Sequence, residues 1–213
     1  MAPIHDAVYG GTPGHVEAVR RELAAGVSPD LLGECSAAHL RGRFMTPLMN
    51  AAAMGRRECT RLLLEAGADV NLCTLVQGEG VSPLILACRM GNKDVVAMLL
   101  AAGASVSPPF NIVPVESLQH GSHKHIVPWL LRAGSPLPRL EETEWMQPDV
   151  VPRYLFDAAA TNYVNAVAAA GGYVPYARAH RKKLAAIFTP KFPQLPEEVV
   201  PTIVEFWAFL GHY

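Results

Sequence analysis

His120, His123 and His125 crowd one short stretch of the chain. Imidazole is a good ligand for zinc or copper, but a protein site needs three or four ligands arriving from fixed directions. No cysteine stands nearby and no acid sits at a matching spacing, so these histidines read as loop residues facing solvent. Gly10-Gly11-Thr12-Pro13-Gly14 has the glycine density of a phosphate cradle. Such a cradle follows a strand and runs into Gly-Lys-Ser/Thr, and neither holds here. The stretch reads as an enlarged turn between helices. No His-Glu-x-x-His, no Gly-x-Ser-x-Gly and no carboxylate pair placed for acid–base chemistry is present. The sequence therefore predicts no catalytic residue, no metal and no cofactor. One further run is strongly charged: Arg178, His180, Arg181, Lys182 and Lys183. Few aromatics are interleaved with it, and Leu184, Ile187 and Phe188 give it one apolar face. It reads as the solvated side of a helix, its aliphatic stems laid along the neighbouring surface.

Composition agrees with a chain that binds rather than catalyses. Half of the 213 residues are hydrophobic and only 17% are charged, which suits a continuous stacked core. The formal net charge is −1, so no global field draws the chain onto nucleic acid. The cysteines at 35, 59, 73 and 88 show no C-x-x-C spacing. They predict free thiols in a reducing compartment, cytoplasmic or nuclear. Residues 1–14 lack the apolar stretch of a secretory leader. No apolar run is long enough to insert across a membrane, since the alanine-rich stretch 158–172 is broken by Asn162, Asn165 and glycines.

The elements that would position a binding surface come from a repeated phrase. Thr46-Pro47-Leu48-Met49-Asn50-Ala51-Ala52 leads to Gly55, Leu62-Leu63-Leu64 and Gly67-Ala68-Asp69-Val70-Asn71. Ser82-Pro83-Leu84-Ile85-Leu86-Ala87-Cys88 leads to Gly91, Met98-Leu99-Leu100 and Gly103-Ala104-Ser105-Val106. Thr46 and Ser82 can cap a first helix, with proline at its first position, where a missing N–H costs nothing. Small residues at 51, 52, 87 and 88 let helices approach closely. Gly55 and Gly91 end the first helices, and Gly67 and Gly103 the second, where a left-handed residue is needed. The leucine triplets form the apolar face of the second helix.

This phrase resembles the ankyrin repeat, a unit of about 33 residues built from a β-turn and two helices. The resemblance implies an all-α solenoid of about four repeats, over 1–30, 46–71, 82–107 and 113–137. In the last of these, Pro128 is expected to kink the second helix or shift its start. An insertion fills 31–45, a longer hairpin runs from Cys73 to Val81, and Asn71 suits stabilising a hairpin turn. A proline-rich connector spans 138–153, and 154–213 reads as a C-terminal helical extension. Stacked repeats present a recognition surface, so the resemblance implies a protein-binding scaffold or adaptor whose partner is another protein. In that family, contacts come from the hairpin tips and the exposed side of the first helices. Carried onto this chain, the layout gives Arg43, Met45, Ala53 and Met54, then Glu79, Val81, Arg89 and Met90, then Phe110, Ile112 and His120. The tail, Leu195-Pro196-Glu197-Glu198-Val199-Val200 with Ile203, Val204 and Phe206, resembles the opening of an F-box, and its basic helix followed by Leu195-Pro196 resembles a SOCS box in outline. That likeness implies a ubiquitin-ligase adaptor as the alternative to a helical cap sealing the stack.

Overall fold

The computed structural model describes residues 3–9, 14–34, 44–76, 79–106, 126–135 and 158–191, together with Val199. It divides the chain into two compact units, Met1–Phe156 and Asp157–Tyr213. The first contains α1 (Pro3–Tyr9), α2 (His15–Ala24), β1 (Gly33–Glu34), β2 (Phe44–Met45), α3 (Pro47–Met54), α4 (Arg57–Glu65), β3 (Thr74–Val76), β4 (Glu79–Val81), α5 (Pro83–Met90), α6 (Lys93–Ala101) and α7 (Val127–Arg132). The second contains α8 (Ala158–Ala169), α9 (Tyr173–Phe188) and a 3-10 turn at Thr189–Lys191. Residues 195–213, which carry the F-box and SOCS-box likeness, lie outside the described residues apart from Val199, as does the 138–153 connector.

The first unit is an all-α solenoid in two layers. Helices α1, α3 and α5 pack side by side as the inner layer, and α2, α4 and α6 as the outer layer; each inner helix also packs on the outer helix that follows it. The capping residues act as the sequence predicts. Thr46 Oγ1 accepts from the Met49 N–H at 3.2 Å, and Ser82 Oγ from the Ile85 N–H at 3.3 Å. Every residue of α3 from Pro47 to Ala53 is buried, which its three successive alanines allow. Gly55 and Gly91 close the inner helices at φ 66° and 70°, a conformation costly for a residue with a Cβ.

The outer helices are less uniformly apolar than their leucine triplets imply. Only Leu63 and Leu99 are fully buried; Leu62, Leu64, Met98 and Leu100 are half-buried. Successive helical residues are turned away from one another, so only the middle member of each triplet faces the inner layer. Each outer helix then ends in the same turn. The Ala66, Gly67 and Ala68 N–H groups donate to the Leu62, Leu64 and Leu63 carbonyls. Equivalent triads close α2 at Ala25–Val27, α6 at Ala102–Ala104 and α7 at Ala133–Ser135. This is the Schellman arrangement with glycine in the left-handed position. Pro128 falls in the first turn of α7, so the helix starts late and is not broken inside.

Candidate interaction surface

The two β-hairpins rise from the inner-helix edge of the stack. β1 pairs antiparallel with β2, Gly33 opposite Met45 and Glu34 opposite Phe44. β3 pairs with β4, Thr74 opposite Val81 and Leu75 opposite Gly80. The strands β2 and β3 touch, so the hairpins stand next to each other. Side chains alternate across a strand, and this decides which residues a partner could meet. Met45 and Val81 point inward and are 0% and 1% exposed; they join Met49, Ala53, Ile85 and Leu86 in one core cluster. Phe44 and Leu75 point outward and are 62% and 68% exposed. Leu31 and Leu32, just before β1, are also exposed.

The layout carried over from the repeat family is therefore corrected at three positions. Met45, Val81 and Ala53 are core residues, because each lies on the inward side of its strand or helix. Met90 is exposed and Arg89 half-buried at the end of α5, while Met54 is half-buried against the core cluster at the end of α3. Glu79 belongs to β4, but its side chain lies outside the described residues, as do Arg43, Phe110, Ile112 and His120. Sequence reasoning missed Leu32, Phe44 and Leu75. The signal was present: a period of two counted back from the buried residue before each cap, Met45 before Thr46, puts Phe44 outward.

Three sets of hydrogen bonds fasten successive repeats to one another. His5, on α1, is buried. Its Nε2 lies 2.8 Å from the Leu31 carbonyl and its Nδ1 lies 2.9 Å from Asn50 Nδ2 on α3. A carbonyl only accepts, so Nε2 carries the proton and Nδ1 accepts from the Asn50 amide. Burial lowers the His5 pKa, the Leu31 bond and the Asp6 charge opposing it. One ring thus ties the segment leading into β1 to two inner helices. Asn92 ties successive repeats, its Nδ2 donating to the Ala52 and Ala53 carbonyls at 2.7 and 3.1 Å.

The third set forms a staircase along the outer-helix turns. The Asp30 carboxylate accepts the Asp69 N–H at 3.0 and 3.2 Å. One repeat later, Asn71 Oδ1 accepts the Ser105 N–H at 2.7 Å, and Asn71 Nδ2 donates to the Gly103 carbonyl at 3.3 Å. Within each step a short side chain braces the turn, Ser28 Oγ accepting from the Asp30 N–H and Asp69 Oδ1 from the Asn71 N–H. The Asn71 side chain therefore reaches to the next repeat, while Asp69 braces the turn that the sequence reading assigns to Asn71.

Among the described residues, no group of three His, Cys, Asp or Glu side chains could hold a metal ion. Cys59 and Cys88 are buried, and desolvation pushes the thiols of Cys59 and Cys73 upward, away from the thiolate a nucleophile needs. Residues 4–109 match a family model described as ankyrin repeats, in three copies. No curated protein matches the sequence. The matched span runs from α1 past the end of α6, the part of the chain that holds both hairpins and all three sets of hydrogen bonds.

Proposed function

We propose, from the premise that the chain belongs to the ankyrin-repeat family, that it is a non-catalytic scaffold or adaptor gripping another protein with its hairpins and the ends of its inner helices. The observation that carries this is the exposure of Phe44 and Leu75, 62% and 68%, on adjoining hairpins. Large apolar side chains held out on braced loops cost solvation in the free protein and become favourable when a partner covers them. Met90, exposed at the far end of α5, adds a second apolar contact, and methionine adapts to an irregular partner surface. Aromatic side chains near the centre of an interface often dominate its energy, which makes Phe44 the anchor of this reading. The free thiols of Cys59, Cys73 and Cys88 suit a reducing compartment, cytoplasmic or nuclear.

The test is affinity purification of the intact chain beside a double variant, Phe44→Glu with Leu75→Glu, and a single variant, Met90→Glu, all at exposed side chains. Each places charges where a partner would desolvate them without a counter-charge. Recovery of the parent chain's partner is expected to fall about tenfold or more for each variant. Circular dichroism is expected to show the fold unchanged. Undiminished recovery with the hairpin pair would place the interface elsewhere.

A further inference from the structure

We propose that α9 of the second unit is a peripheral docking face for anionic lipid surfaces. From Ala158 to Lys191 the sequence contains no aspartate or glutamate, whereas it contains Arg178, Arg181, Lys182, Lys183 and Lys191. The 16-residue helix α9 carries the first four of these cations and sorts them by face. Its exposed side consists of two rows at four-residue spacing. One row is Val174, Arg178, Lys182 and Ala186, and the other is Pro175, Ala179, Lys183 and Ile187; all eight are exposed. The opposite side is half-buried. There Tyr176 and His180 stack with ring centroids 5.6 Å apart, and Arg181 Nε donates back to the Ala177 carbonyl at 3.3 Å.

The chemistry of the exposed side selects among anionic partners. It holds three cations and otherwise only aliphatic groups, with Val174 65% and Ile187 46% exposed at its two ends. Nucleic-acid backbones are gripped by cations together with hydroxyl and amide donors, and this face has no side chain of either kind. Protein interfaces are depleted in lysine at their cores, and two of the three cations here are lysines. A leaflet of anionic headgroups accepts both features: phosphates and carboxylates meet the cations, while the branched aliphatics enter the boundary between headgroups and acyl chains. The mode is adsorption, since no helix among the described residues is long and apolar enough to cross a membrane.

The experiment is co-sedimentation of the full chain with vesicles of phosphatidylcholine mixed with phosphatidylserine, against phosphatidylcholine alone. Binding is expected only to the mixed vesicles and is expected to weaken as salt rises. The triple variant R178Q/K182Q/K183Q is expected to bind about a hundredfold more weakly, at roughly fivefold per cation. V174N/I187N is expected to weaken binding while leaving its salt dependence unchanged. All substitutions lie on the solvent side, and circular dichroism of each variant checks that the helix persists. Equal binding to both vesicle types, or a triple variant that binds like the parent, would overturn the proposal. Unchanged affinity of V174N/I187N, or tighter binding to duplex RNA or to a polyglutamate peptide than to the mixed vesicles, would overturn it in favour of a purely ionic partner.

Discussion

Gly33 and His5 offer a sharp test of how the first hairpin is held. A Cβ built on Gly33 would meet His5 Cδ2 and Nε2 at 2.5 Å, well inside contact distance. The ring cannot simply turn aside, because it is buried and fastened at both nitrogens. Gly33→Ala should therefore displace it, losing the 2.8 Å bond to Leu31. Overpacking and an unmade buried hydrogen bond each cost about 1–3 kcal/mol; since displacing the ring relieves part of the overlap, the total should be about 2–4 kcal/mol. His5→Ala should cost a similar amount, about 2–4 kcal/mol, by stranding the Asn50 amide and leaving a cavity. Asn50 Oδ1 already has no hydrogen-bond partner among the described residues, so the amide would lose its remaining bond. With the ring gone, the added methyl has room. The double variant should then be about as stable as His5→Ala alone, giving a coupling energy of about 2 kcal/mol or more. Urea melts of the parent, both single variants and the double variant, followed by far-ultraviolet circular dichroism, measure every corner of the cycle. Additive costs would show that Gly33 and His5 do not meet in solution.

Three other expectations rest on the same contacts. Because burial lowers the His5 pKa, the folded state holds the neutral ring while the unfolded chain takes up a proton at about pH 6.5; stability should fall as pH drops below that value and level off above it, and His5→Gln should flatten the difference in matched melts. Leu99→Ala, at a fully buried site, should cost about 2–5 kcal/mol in a denaturant melt, with Leu63→Ala costing much the same. Asn71→Ala removes the bonds to Ser105 and Gly103, so it should cost about 1–2 kcal/mol and speed hydrogen exchange at the Ser105 amide, whereas unchanged protection there would count against the staircase.

The inner helices were legible from local chemistry, because caps, prolines and glycines each have one structural job. Thr46, Ser82, Gly55 and Gly91 stand where their types require. The buried status of Met45 and Val81 was less legible. It depends on strand alternation within segments too short to announce a period, and on the core cluster waiting beneath them. His5 was harder still, since its two partners lie far along the chain and nothing in Ile4-His5-Asp6-Ala7 marks the histidine as buried. The Asp30 and Asn71 links were invisible for the same reason: each joins a side chain to a backbone group one repeat away, which no local pattern records.

The turns that close the outer helices carry one more implication. Gly26, Gly67 and Gly103 are unevenly spaced along the chain, yet each occupies the same left-handed position and the same triad of hydrogen bonds. The unevenness is taken up between the turns, in segments that include both hairpins. Length is thereby separated from closure: the hairpins take up extra residues while the turns that end the outer helices keep one geometry. Such a frame tolerates transplantation. A hairpin of different reach, inserted between the Asx step and the next capping residue, could re-aim the grip while every layer beneath it kept its seat.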